Sequence, residues 1–224
     1  MIGIIIQARM GSTRLPGKVL KEIGNKTLLG HIIYRLTYLK HDVEIIVATS
    51  QNSKDDKIID FCVKNNIKYF RGDETNVLER YYLCAQQYCF ENIVRLTADN
   101  PFVDIEELDK LIDVHIRNRL DFTNSFSVLP VGIGVEIFTF KSLEESFYMG
   151  KMPHHLEHVD EYMLENSNIF KTKVINPTES KNRPDIRLTV DTEEDYKKAC
   201  FIVENSKNEY ITTEEAIKLC LQYA

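Results

Sequence analysis

Residues Ile2–Gln7 form a continuous apolar run closed by a polar residue, the pattern of a strand covered on both faces. The spacing then changes. Leu28, Leu29, Ile32, Ile33, Leu36 and Leu39 recur at helical intervals, and residues 44–48 read as a second strand. Ile58, Ile59, Cys62 and Val63 mark another helix, residues 67–70 a third strand, and residues 78–89 a further helix. Residues 93–97 return to strand, and Ile105, Leu108, Leu111, Ile112 and Ile116 line one helical face. This β-α-β-α order predicts an α/β fold with a doubly wound, mostly parallel sheet.

The second half is less regular. Residues 121–125, 134–140 and 186–190 read as strands, and the closing helices begin at Thr192 and Thr213 with hydroxyl caps and acidic first turns. The stretch 176–184 is the most loop-like, but no repeat or linker divides the chain, so one domain over residues 1–224 is expected. In open α/β sheets ligands bind beyond the carboxyl ends of strands. That rule selects the loops after Gln7, Thr97 and Val190.

Composition narrows the chemistry. With 43% hydrophobic residues in 224, the chain can bury a sizeable core. Its net charge of −6 disfavours non-specific nucleic-acid binding, so any anionic ligand must meet a local basic site. The five cysteines (Cys62, Cys84, Cys89, Cys200 and Cys220) fall in segments that read as helical and fit neither a zinc ribbon nor a disulfide framework; buried free thiols are expected. The opening apolar run has no basic flank and is too short to span a bilayer. A soluble, cytoplasmic protein without a membrane partner is expected.

The loop after the first strand supplies the local basic site. Between Arg9 and Lys21 stand Arg9, Arg14, Lys18 and Lys21 with no acid, together with Gly11, Ser12 and Gly17. Exposed backbone N–H groups and guanidinium or ammonium donors in such a loop suit a polyphosphate. It is not a P-loop: five residues separate Gly11 from Gly17, and Val19 stands where a hydroxyl would hold magnesium. A dinucleotide fingerprint is absent too. The plain alternative is a solvated basic turn.

This stretch resembles the opening signature of the sugar-nucleotide cytidylyltransferases, A-R-x-G-S-x-R-x-P-x-K, a group that includes the CMP-sugar-acid synthetases; the likeness is to the SpsF-like, spore-coat polysaccharide branch and covers nearly the whole chain. It implies a sheet of the nucleotide-diphospho-sugar transferase (GT-A-like, Rossmann-like) type. Residues 1–120 would form the nucleotide-binding half, and 121–224 the acceptor half with the second metal ligand. By the same resemblance Arg9, Gly11, Ser12, Arg14 and Lys18 hold the phosphates of CTP, and Ala8 meets base and ribose. The segment 71–80 resembles the element over the base, which points to Gly72 and Arg80.

Two pieces echo each other, Arg-Leu-Thr-Ala-Asp ending at Asp99 and Arg-Leu-Thr-Val-Asp ending at Asp191. Paired strand-end carboxylates are what Mg²⁺ takes beside substrate phosphates. Asp191 alone could cap a helix, and Asp99 before Asn-Pro could be a turn residue. The resemblance implies metal binding for both, with Thr97 beside the nucleotide. His154, Glu157 and His158 formally match the inverted zinc-protease motif, but Pro153 places His154 at a helix start. His154, His155 and His158 read instead as the acceptor side of the cleft or a subunit contact. Glu136, Arg183 and Arg187 join them as acceptor candidates, with Lys181 a further free cation.

The expected enzyme is thus a CTP-dependent nucleotidyltransferase. It would pass CMP to a small anionic acceptor, a phosphorylated metabolite or sugar acid, for surface polysaccharide. The resemblance is compatible with a homodimer. A GT-A-like glycosyltransferase and a non-catalytic nucleotide-binding subunit are the alternatives.

Overall fold

Strand β1 (Ile2–Gln7) lies inside a seven-stranded sheet, where a run apolar on both faces belongs; Ile4, Ile5 and Ile6 are fully buried. In the computed structural model, which describes residues 1–223, the first half continues through β2 (Glu22–Ile23), β3 (Lys26–Thr27), α1 (Leu28–Leu36), β4 (Glu44–Ser50) and α2 (Asp56–Lys64). It ends with β5 (Lys68–Gly72), α3 (Val77–Gln87), β6 (Asn92–Thr97) and α4 (Ile105–Asn118). The second half adds β7 (Phe122–Asn124), β8 (Glu136–Thr139), α5 (Phe140–Met149), α6 (Pro153–Glu157), α7 (Glu161–Glu165), β9 (Thr172–Val174), α8 (Glu193–Asn205) and α9 (Thr213–Cys220).

The main sheet runs β5-β4-β1-β6-β8-β7-β9. β8 is antiparallel to both neighbours, and the other pairings are parallel. The fold is therefore a doubly wound α/β sheet, mixed but mostly parallel. Ile4 and Ile6 face a core shared with α1, α2 and α4, whereas Ile5 faces α3 and α5. A third cluster joins Leu15 and Ile23 to α8 and α9.

Two expectations need correction and one strand was not anticipated. Residues 186–190 are not a strand: they cross the strand ends and make a single bridge, Arg187 with Val131. Among the described residues their only backbone partners are loop residues and Asp99, so no ladder forms. Strand β9 carries no periodic apolar signal because all three of its residues are exposed at the sheet edge. Cys89 is not helical; it sits past the end of α3 at φ 54° and is exposed, while Cys62 and Cys84 are buried and Cys200 and Cys220 half-buried. Among the described residues no helix is long and apolar enough to cross a membrane.

Polar groups tie the layers together. Asp104 caps α4 through the Glu107 N–H and accepts from Thr213 Oγ1 at 2.5 Å on α9. Lys181 is buried against Asp104, Glu106 and Glu107 at 2.9, 2.7 and 3.2 Å. The buried Arg35 donates to Val103 O and Ile211 O. On α4, His115 is held between Thr123 Oγ1 (2.9 Å) and Asn92 Oδ1 (3.2 Å), and burial pushes its pKa down to about 4.

His115 yields a stability prediction. Between pH 6.5 and about 4 the unfolded chain binds a proton at this position that the folded chain refuses, so stability falls as pH is lowered through that window. The linkage is worth at most about 3 kcal/mol. Thermal melts of wild type and His115→Gln from pH 7 to 4 should show a shallower acid loss in the variant. Parallel curves would mean that His115 does not contribute.

Candidate active site

The loop after β1 folds back by local necessity. The Ala8 N–H is spent on Ala48 O (3.0 Å) and the Met10 N–H on Asp55 Oδ1 (2.7 Å). Gly17 then reverses the chain at φ 69°, a left-handed conformation natural to glycine, and its N–H closes the loop on Met10 O at 3.1 Å. A 3-10 turn, Lys18–Leu20, follows at once and turns Lys18 inward.

Lys18 is the meeting point of the site. Its Nζ donates to Asp99 Oδ2 at 2.7 Å, Asp191 Oδ1 at 2.7 Å and Val190 O at 3.0 Å. Asp191 also pairs with Arg14 at 3.1 Å and with Arg187. Burial opposes ionisation of Asp191, but Lys18, Arg14 and Arg187 outweigh it and hold the carboxyl below its ordinary range. Neither aspartate takes its plain structural role. Thr192, with Asp195 in a capping box, caps α8 and leaves Asp191 free; the turn after β6 closes through Asn100 N–H to Thr97 O, leaving the Asp99 side chain free.

The segment bearing Asp191 is pinned from below. Val190 N–H donates to Asp99 O at 2.9 Å, and Leu188 N–H to Val131 O at 2.8 Å. Gly132, at φ 94°, packs so closely that an added Cβ would lie 2.6 Å from Thr189 N. The glycine is there for this backbone approach.

A cleft of about 250 Å³ opens over these groups, near the lower end of small-molecule sites. Arg9, Gly11, Ser12, Arg14, Lys18, Thr97, Asp99, Asp191 and His158 all line it. Several expected residues lie elsewhere. Ala8 is sealed in the core, and Gly72 packs on Arg80; neither these two nor Arg80 lines the cleft. Arg80 is buried, donates to Asp73 O at 2.6 Å, and leaves Nε and Nη2 without partners.

The acceptor candidates need more correction. Glu136 is fully buried and bound to Arg95, so it faces no ligand. His154 and His155 turn away to Glu165 at 2.8 and 2.7 Å. The Met152 N–H donates to His155 Nδ1, so Nε2 carries the proton given to Glu165; His154 also turns to Glu165 while Glu157 and His158 line the cleft, so the inverted zinc motif is not assembled. Arg183 is clamped to Asp185 outside the cleft, and Lys181 is neutralised by its three acids. Arg187 stays near the site through Asp191 and Asp195, though it is not part of the lining. Of the His154–His158 cluster expected on the acceptor side, Glu157 and His158 do line the cleft, whereas the lining residues Gln7 and Arg95 were not anticipated. For Arg95, its place four residues before Asp99 in the repeated Arg-Leu-Thr-x-Asp was the available signal.

A basic strand-end loop drawn onto two aspartates is the site of a nucleotidyltransferase. The Cytidylyltransferase family profile matches residues 3–219, and the chain belongs to that family. It is 37% identical to the spore coat polysaccharide biosynthesis protein SpsF of Bacillus subtilis over 198 residues, covering 86% of this chain and 82% of that protein. A cytidylyltransferase structure from Leptospira borgpetersenii superposes with a TM-score of 0.92 at 33% identity, covering 99% of this chain and 94% of the other. The fold is shared with a CMP:2-keto-3-deoxy-manno-octonic acid synthetase solved with CTP (TM-score 0.69, 18% identity, 91% of this chain and 98% of that one). The chain is a nucleotidyltransferase that moves CMP from CTP, which sets aside the glycosyltransferase and non-catalytic alternatives.

Gly132→Ala should show how far the site depends on backbone packing. Strain at this position and the contact with Thr189 should cost about 1–3 kcal/mol in urea unfolding. Turnover should fall further than stability alone accounts for, because residues 189–191 must shift. Unchanged stability and turnover would show that the approach is not needed.

Proposed function

We propose that this enzyme transfers CMP from CTP to a small anionic acceptor, with Mg²⁺ as cofactor, in the cytoplasmic supply of precursors for a surface polysaccharide such as a capsule. The observation that carries the reading is the convergence of Asp99 and Asp191 on one cation beneath the basic loop.

Two carboxylate oxygens, each 2.7 Å from a single nitrogen, make a donor set suited to a hard cation that also takes phosphate oxygens. Asp99 and Asp191 would hold Mg²⁺, which when bound neutralises phosphate charge and polarises the α-phosphorus. Arg9, Arg14 and the Gly11–Ser12 backbone would take the triphosphate, and the long stem of Lys18 lets its ammonium leave the aspartates for the departing pyrophosphate. An acceptor oxygen attacks the α-phosphorus in line, the bond to the pyrophosphate oxygen breaks, and pyrophosphate leaves. An ionised acceptor oxygen needs no base, so positioning and charge supply the catalysis.

The direct test is a pyrophosphate-release screen crossing CTP, UTP, ATP and GTP with sugar acids and phosphorylated small molecules. CTP should exceed the others by about tenfold or more, a difference of ~1.4 kcal/mol. Equal turnover with UTP would refute the proposed base preference.

Asp99→Asn separates metal holding from structure. Turnover should fall by at least ~10²-fold, while the unfolding free energy changes by no more than about 1 kcal/mol. Near-normal turnover that still requires magnesium would remove Asp99 from the metal site.

A further inference from the structure

The cleft has a second cationic group that the triphosphate reading does not use. Arg95 lies within β6, directly opposite Glu136 on β8 in the antiparallel register. Its Nη1 donates to Glu136 Oε1 at 2.8 Å and stands 3.9 Å from Asp160 Oδ1. Nε is buried with no partner, as is Glu136 Oε2. Yet the arginine side chain retains 14% exposure and lines the cleft.

Nothing in the sheet demands this arrangement. A buried ion pair is weak evidence for stability, because apolar residues of similar volume serve as well or better. Buried donors are almost always satisfied, so an orphan at a cleft calls for an explanation. Both ion pairs fall on one nitrogen, which fixes the guanidinium from behind and leaves its remaining edge uncommitted. Burial pushes the Glu136 carboxyl towards its neutral form, against the pull of Arg95.

Position separates Arg95 from the phosphate machinery. It lies four residues before Asp99, on the order of 10 Å back along the strand direction. Glu157 and His158, which line the same cleft, come three and two residues before Asp160, the acid that Arg95 approaches, whereas Arg14 and Lys18 are paired with the aspartates. We infer that Arg95 is the residue that recognises the anionic group of the acceptor, a carboxylate or phosphate, through its uncommitted edge, with Glu157 and His158 meeting the acceptor's hydroxyl groups. This rests on the cytidylyl-transfer reading and adds a specificity residue to it. A guanidinium suits either anion bidentately, and a lysine in its place does not.

The test is calorimetric titration of the full-length protein saturated with a non-hydrolysable α,β-methylene analogue of CTP and magnesium. The probes are 3-deoxy-manno-octulosonate for the carboxylate, glycerol 3-phosphate for the phosphate, and glycerol as the neutral control. At least one anion should bind the loaded wild type and glycerol should not; Arg95→Lys should weaken that anion by about tenfold or more while leaving the CTP analogue within about twofold. Which anion binds decides between the two chemistries. Neither anion binding the loaded wild type, equal binding to both proteins, or a parallel loss of analogue affinity would each overturn the inference. Failure of the analogue to bind the wild type is a separate outcome, which removes the cytidylyl-transfer reading and this one with it. If Arg95→Lys does not fold, Asp160→Asn supplies the second arm. Removing that charge behind an intact Arg95 should tighten anion binding, and unchanged or weaker binding overturns the inference.

Discussion

One ammonium group joins segments that are far apart in the chain. Lys18 Nζ reaches Asp99, Val190 and Asp191, which stand 81, 172 and 173 residues away. Two carboxylates aimed at one point repel each other unless a cation lies between them. The site is therefore built around a cation, and its geometry is defined only while one is present. The lysine is 10% exposed and its partners 26% and 19%, so the cluster is shielded from solvent yet open to a ligand. In the proposed reaction Asp99 and Asp191 would hold the metal, which would supply the positive charge between the carboxylates, and Lys18 would be free to meet phosphate.

That arrangement requires the surrounding backbone to stay fixed, and the fold provides this with little regular structure. β1 and β6 are adjacent parallel strands, with Gln7 level with Thr97, so their end loops emerge side by side. The Asp191 segment has no ladder of its own. It is held by its bonds to Val131 and Asp99 and by the close approach of Gly132. Backbone contacts of this kind leave the side chains of Asp99 and Asp191 uncommitted to structure.

The basic loop and the two aspartates that the cleft brings together were legible in the sequence because their signals are local, whereas Ala8, Gly72 and Arg80, expected beside the nucleotide, do not line the cleft. An apolar run followed by Arg9, Arg14 and Lys18 without an acid needs no knowledge of distant residues, and each Arg-Leu-Thr-x-Asp is read within five positions. The strand order of the first half was legible for the same reason. The acceptor side depends on long-range pairing, and there the reading went astray. Lys181 looked like a free cation until folding brought Asp104, Glu106 and Glu107 against it. Glu136 looked available until β8 placed it opposite Arg95, and His154 and His155 looked like cleft residues until α7 supplied Glu165. Residues 186–190 have the apolar content of a strand but no strand beside them, a fact set by topology and not by their own pattern.

The contrast between Lys18 and Lys181 shows what separates a working charge cluster from a structural one. Both are buried lysines with carboxylate oxygens at about hydrogen-bond distance, so residue type and spacing do not distinguish them. Burial works against the charge of Lys181, but Glu106, Asp104 and Glu107 more than compensate and hold its pKa above the ordinary range. Two of those acids are themselves sealed, Asp104 at 4% and Glu107 at 1% exposure, and Asp104 is further committed to the ends of α4 and α9. Glu106 is 62% exposed, but Lys181, Asp104 and Glu107 are sealed at the junction between those helices. The partners of Lys18 line a cleft, share it with Arg9 and Arg14, and cap no helix. The same ionic chemistry therefore acts as a rivet where its acids are enclosed by helix ends, and as an exchangeable site where they stand at the open ends of strands.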